Sequence, residues 1–215
     1  NGVCTGALIN HRTVLTASHC LKDGEKAEIY LGNEITDTSI PIATSSFIKL
    51  PEERRYTSFT GASYDLALIA LSEPLTSISP LTIDSTLPTL NTEVFISGFG
   101  LHGTGSVPDQ DFDSKKRWGK NVLSIIAREN FLLSEPALTT TSDKIILGFY
   151  FDKGINNLES MISLGDSGSP LLIETDGKFN IVGVASWVSP DVNSLVRGYG
   201  SSAGYASIAE NIDWI

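Results

Sequence analysis

Short runs in which apolar and polar residues alternate, or in which apolar residues stand together, recur along this chain between turn-forming residues. Alternation marks a half-buried strand and a short apolar run a fully buried one, so the pattern predicts an all-β protein. Predicted strands are Cys4–Ile9, Thr13–Leu15, Ala27–Leu31, Thr44–Lys49, Leu66–Leu71, Glu93–Gly98, Asn121–Ala127, Lys144–Phe151, Pro170–Ile173, Phe179–Val188 and Gly204–Ser207. Gly32-Asn33, Lys153-Gly154 and Asp176-Gly177 read as turns, and the last, set between two apolar runs, is the clearest hairpin. Residues 73–92, rich in Pro, Ser and Thr, read as a connection between two halves. Residues 100–119 read as the longest irregular stretch, a mobile surface loop, with a protease-sensitive site or a substrate-facing loop as the alternative. At the end, Ile208, Ile212 and Ile215 stand at helical spacing, which predicts a short closing helix with Trp214 packed on the body.

Composition narrows this picture. A chain of 215 residues accommodates one large all-β domain or two small ones sharing an interface. With 41% hydrophobic and 19% charged residues it reads as an ordinary globular protein, and no apolar run reaches membrane-spanning length. A formal charge of −10 argues against a phosphate-binding surface, so neither nucleic acid nor membrane is expected as a partner. No His, Cys or carboxylate cluster has metal-ligand spacing, and Glu52-Glu53 reads as a solvated turn; no metal or cofactor is expected. Cys4 and Cys20 are the two cysteines, and their number alone leaves free thiols and a disulfide equally open.

Candidate chemistry comes from three segments. Gly165-Asp166-Ser167-Gly168-Ser169-Pro170 sets a serine between glycines that permit a tight turn with amide hydrogens facing outward. Leu15-Thr16-Ala17-Ser18-His19-Cys20 carries a histidine that singles itself out by its neighbours; His11 and His102 read as surface or satisfied residues. Tyr64-Asp65-Leu66-Ala67-Leu68-Ile69 places an aspartate at the entry to a strand. A serine hydroxyl needs a base within hydrogen-bond reach, and the base needs an orienting carboxylate. Together the segments resemble the trypsin/chymotrypsin-like serine proteases, in the chain order His, Asp, Ser. Ser169 breaks the G-x-S-x-G pattern, against a lipase-type elbow.

The resemblance implies two packed six-stranded-type antiparallel β-barrels with a C-terminal helix. Residues 1–72 would form the N-terminal barrel, 73–92 the connection, 93–204 the C-terminal barrel and 205–215 the final strand end and helix. It implies a serine endopeptidase acting on protein or peptide substrates, with His19, Asp65 and Ser167 as triad and the backbone amides of Gly165 and Ser167 as oxyanion hole. Ser186 would hydrogen-bond Asp65, and Ser186-Trp187-Val188 would offer backbone groups to an extended substrate. Met161 and Ile162 would form the base of the primary pocket, with Val188 at its mouth and Ala203 on the opposite wall. Having no acid at the base, and Ala185 where glutamate-specific members carry histidine, the pocket suits small or medium apolar residues. The resemblance also implies a Cys4–Cys20 bridge, hence an exported protein, and the sparse cysteines look like the bacterial branch. Asp166 would pair with a freshly cut N-terminal ammonium, and the family's first strand precedes the segment at Cys4. The expectation is therefore a fragment of a longer chain or a form with an imperfect oxyanion hole. The rival to the enzyme is an inactive precursor or a protease-fold binding protein, and an activating protease or an inhibitor is a possible partner.

Overall fold

The computed structural model describes residues 2–24, 26–36, 38–49, 64–128, 144–153, 158–191 and 197–215. Three strands of the first sheet come from short apolar runs: β1 (Ala7–Asn10), β2 (Thr13–Thr16) and β4 (Ala67–Leu71), joined by β3 (Thr44–Lys49) in the antiparallel order β1-β2-β4-β3. The second sheet contains β5 (Thr82–Ile83), β6 (Glu93–Gly98), β9 (Arg117–Val122), β10 (Ile125–Arg128), β11 (Ile145–Tyr150), β12 (Pro170–Thr175), β13 (Lys178–Ser189) and β14 (Ser202–Ser207). Its order is β10-β11-β14-β13-β12-β6-β9, with β5 added in parallel to β13. Both sheets curl, as in a chymotrypsin-like two-barrel fold.

Three apolar clusters hold this together. Leu8, Val14, Ala67, Ile69 and Leu71 fill the first sheet. Val94, Leu123, Leu147, Phe149, Leu171 and Tyr205 are among those that fill the second. Leu15 and Leu66 from the first sheet meet Phe95, Ile181, Val184 and Ala206 from the second, and this shared core fixes how the halves meet. At roughly 1.5–3 kcal/mol per buried large side chain, that contact outweighs any surface ion pair in setting the geometry between them.

Several expectations need correction. Residues 27–31 form no strand; one bridge, Ile29 with Ile42, is made before Gly32 (φ 138°) and the Thr36–Ser39 turn fold the chain back. The predicted strand 121–127 is two strands; buried Asn121 in the first donates from Nδ2 to the Tyr150 and Ser160 carbonyls (both 3.0 Å), and its Oδ1 accepts Val122 N–H (2.7 Å). Pairing on the β6 side runs through Leu123, whose N–H donates to the Thr92 carbonyl (2.9 Å), and the chain then restarts against β11 at Ile125. Residues 100–119 are no irregular loop: they hold the hairpin β7 (His102–Thr104) and β8 (Val107–Asp111), then the start of β9. Lying largely on the surface, this ribbon leaves no apolar alternation to read; it is anchored by Asp109 to Arg197 (2.8 Å) and by Tyr199 N–H to the Gly105 carbonyl (3.0 Å). The closing helix is absent. Residues 208–214 are turns with i→i+3 bonds, Asn211 to Ile208 (2.9 Å) and Trp214 to Asn211 (3.0 Å). Asn211 is buried and its Nδ2 donates to the Ser207 carbonyl (2.8 Å), holding the chain in a turn instead of a helix, while Trp214 packs on the shared core. Glu52-Glu53 lies outside the described residues.

Candidate active site

β2 runs into a single 3₁₀ turn, Ser18–Cys20, which carries His19 out of the first sheet. Asp65 sits two residues before β4, the partner of β2, so pairing of Thr16 with Ala67 brings His19 and Asp65 together. Asp65 is 1% exposed. Its Oδ1 accepts the His19 backbone N–H at 2.9 Å, and its Oδ2 lies 2.6 Å from His19 Nδ1 and accepts Ser186 Oγ–H at 2.7 Å. Ser186 comes from β13 at the bulge between Ala185 and Trp187, so both sheets contribute to one carboxylate. Burial is the largest influence on His19 and lowers its pKa; the hydrogen bond and charge of Asp65 outweigh it together and raise the pKa above 6.5. With Nδ1 turned to Asp65, Nε2 remains for another partner.

Ser167 stands in the turn leading to β12. Gly165 (φ 98°) and Gly168 (φ 84°) adopt conformations costly for any other residue, and a Cβ on Gly168 would collide with Thr5 and Thr16. The turn is pinned from both sides: Thr5 N–H donates to the Ser167 carbonyl (2.8 Å), Gly168 N–H to Ala185 (2.8 Å) and Ser169 N–H to Asp166 (2.8 Å). Cys4 and Cys20 form a disulfide, and Cys20 Sγ is 3.6 Å from the Ser167 carbonyl oxygen, so the bridge abuts the serine turn as well as His19. A nitrogen of the His19 ring lies within 4.8 Å of both sulfurs, but these are joined to each other and offer no thiolate to a metal. Among the described residues no hydrogen bond joins Ser167 Oγ to the His19 ring; such bonds are often long without substrate and tighten in the Michaelis complex.

The loop before Ser167 is clamped by three consecutive amides that sequence reasoning missed. Phe99 N–H donates to Thr5 Oγ1 (3.3 Å), Gly100 N–H to Asp166 Oδ1 (2.8 Å) and Leu101 N–H to the Leu164 carbonyl (2.8 Å). A trans peptide is planar, so fixing the Leu164 carbonyl turns the Gly165 N–H to the opposite side. Asp166 is half-buried and also accepts Ser163 N–H (2.8 Å). Burial pushes its pKa up, against the lowering effect of those two amides and of Arg117. The expected pairing of Asp166 with an N-terminal ammonium is not addressed by these bonds, and Asn1 lies outside the described residues. No local signal in the sequence announces this clamp, because its members lie far apart along the chain.

The expected pocket residues also come together. Ile162 and Ala203 are buried in the second core, and Met161 and Val188 pack against the same cluster. Val188 pairs with Ala203 and Trp187 with Gly204, where the indole lies so close that a Cβ on Gly204 would strike it. Tyr205, fully buried beside them, has a phenol pushed well above its ordinary pKa by burial, then by the Asp166 charge. A groove of about 910 Å³ is lined by residues including Thr5, Cys20, Phe99, Ile29, Phe47 and Leu71, and by none of His19, Asp65 and Ser167.

The Trypsin family model matches residues 1–215. The chain belongs to the trypsin family. It is a serine endopeptidase with protein or peptide substrates. Curated relatives include the thrombin-like enzyme elegaxobin-2 of Protobothrops elegans, 28% identical over 99% of this chain and 84% of its own length. The snake venom serine protease catroxase-1 of Crotalus atrox is 29% identical over 99% of this chain and 75% of its own. Serine protease VLSP-3 of Macrovipera lebetinus is 30% identical over 100% and 77%. Among solved structures, neuropsin, a serine protease expressed in the limbic system of mouse brain, shares the fold with a TM-score of 0.72, at 22% identity over 99% of this chain and 86% of its own. These relatives are animal proteins, so likeness to the bacterial branch rests on the cysteine count alone.

Proposed function

We propose that His19, Asp65 and Ser167 are the catalytic triad, with His19 and Asp65 supplied by an N-terminal barrel over residues 1–72 and Ser167 by a C-terminal barrel over 93–204. The observation that carries this is the buried Asp65 carboxylate, which receives both the backbone and the ring of His19 and the hydroxyl of Ser186. His19 Nε2 takes the Ser167 proton as the oxygen attacks the scissile carbonyl, and Asp65 stabilises the resulting imidazolium. The carbonyl oxygen gains its negative charge against the amides of Gly165 and Ser167, donors worth a few kcal/mol each. The tetrahedral intermediate collapses as His19 protonates the leaving amine, and water repeats the sequence on the acyl-enzyme. Asp166 buttresses the oxyanion loop, and Ser186-Trp187-Val188 pairs with the substrate backbone.

The primary pocket is formed by Met161, Ile162, Val188 and Ala203, and it prefers small or medium apolar side chains. Its apolar surroundings in the second core support this. The disulfide and the venom origin of a relative support an exported protein in an oxidising compartment.

A fluorophosphonate probe, applied to wild type beside Ser167→Ala and His19→Ala, tests the triad. Wild type alone is expected to label, and both variants to lose about 10⁴-fold or more in turnover, a magnitude taken over from serine proteases in general. A folded wild type that stays unlabelled would favour the precursor or binding protein instead. Peptide-library profiling tests the pocket: dominance of Lys, Arg or Glu before the scissile bond would overturn the apolar preference.

A further inference from the structure

Thr5 occupies an unusual place between the two sheets. It lies two residues before β1 and is 9% exposed, yet its three polar groups make four hydrogen bonds to other segments. Its N–H donates to the Ser167 carbonyl (2.8 Å), and its carbonyl accepts Thr16 Oγ1–H (2.8 Å) from β2. Its hydroxyl donates to the Gly165 carbonyl (3.1 Å) and accepts Phe99 N–H (3.3 Å). The backbone bonds would survive any substitution that keeps the strand. The hydroxyl bonds depend on the side chain alone.

Those hydroxyl bonds fall on the residue with the greatest freedom in the loop. Gly165 has no Cβ and sits at φ 98°, so its flanking peptides are held by hydrogen bonds and not by sterics. On its N-terminal side the Leu164 carbonyl is held by Leu101 N–H (2.8 Å). On its C-terminal side its own carbonyl is held by Thr5 Oγ1. The Leu101 bond fixes the peptide plane that carries the Gly165 N–H. The plane that follows is held by Thr5 Oγ1 and by Asp166 N–H to the Ser163 carbonyl (3.0 Å), so that rotation about Gly165 cannot release the first. Preorganised donors are effective because they need not reorient during reaction.

We propose that Thr5 is a positioning residue for the oxyanion loop: its hydroxyl locks the Gly165 carbonyl to Phe99 N–H and so holds the Gly165 amide toward the developing oxyanion. This rests on the reading of Gly165 and Ser167 as oxyanion donors. The same hydroxyl joins a first-sheet residue, next to the disulfide that abuts His19, to the second-sheet loop that carries Ser167. It thereby couples the base and nucleophile halves of the site.

The test compares wild type, Thr5→Val, Thr5→Ala and Thr5→Ser, with sites counted by fluorophosphonate titration and kcat and KM measured per titrated site on a peptide substrate. Thr5→Val keeps the shape and removes the hydroxyl; Thr5→Ala does the same with less crowding if Val fails to fold. Loss of one oxyanion donor outright costs about 10²–10³-fold, so loosening one is expected to lower kcat per site about tenfold with KM little changed. Thr5→Ser should stay within about threefold of wild type, because its hydroxyl is kept. A Val or Ala variant with unaltered kcat per site but a lower melting temperature would make the contact merely structural and overturn the proposal. A Ser variant as slow as Ala would overturn it too. A folded wild type that neither labels nor cleaves would overturn the triad reading, and this one with it; an active wild type matched by Thr5→Ala would overturn this one alone.

Discussion

Asp65 and His19 occupy opposite environments at one hydrogen bond's distance: the carboxylate is 1% exposed while the imidazole side chain is 35% exposed. Burial alone would favour the neutral imidazole at lower pH, but the bond and charge of Asp65 carry its pKa above 6.5. Only neutral His19 can accept the Ser167 proton, so kcat/KM should rise with pH through a limb whose midpoint lies above 6.5. The stability term has the opposite sign. A raised histidine pKa contributes stability fully below its unfolded value, and that contribution is lost as pH rises through the folded value. Asp65→Asn removes the raising causes and leaves burial, so the limb should move to lower pH with a plateau about 10⁴-fold down. A wild-type limb at or below 6.5 would show that Asp65 does not govern this base.

At the scale of elements, strands with one buried face were legible and those without were not. β4 reads buried-intermediate-buried along Ala67–Leu71, and β6 shows the run Val94-Phe95-Ile96, so both were visible as patterns. The ribbon β7–β8 has no apolar face, and β5 is two residues long, so neither left a signature. The split of 121–127 is a change of partner, from the β6 side after Leu123 to β11 at Ile125, which the continuous apolar pattern does not show. Close strand approach is similarly hidden. A Cβ on Gly148, in the middle of β11, would run into the backbone carbonyl of Ala203 on β14, which cannot move without breaking the sheet. Gly148→Ala is therefore expected to destabilise the protein by about 1–3 kcal/mol in chemical denaturation. An unchanged midpoint would mean that β11 and β14 are looser than they stand here.

For the molecule as a whole, the active site exists only where the sheets meet, and the Cys4–Cys20 bridge lies at that seam. It closes a loop with a sequence separation of 16, for which chain entropy suggests about 3 kcal/mol of stabilisation. Replacing both cysteines by serine should lower the denaturation midpoint accordingly, and it should also reduce turnover, because the bridge abuts both His19 and Ser167. A double variant with lowered stability and full activity would confine the bridge to a structural role.

The sequence by itself determined the residue types and their order: a histidine, an aspartate and a serine in glycine-flanked or strand-entry settings, and enough alternation to make the fold all-β. These are local properties, written within a few neighbouring residues. Tertiary structure alone decided that Phe99, Gly100 and Leu101 clamp the loop before Ser167, and that Thr5 binds across the seam. It also decided against the closing helix, through a side-chain bond from buried Asn211. Hydrogen bonds between residues separated by many tens of positions leave no periodic trace in a sequence, because their partners are chosen by packing of the shared core and not by neighbours along the chain.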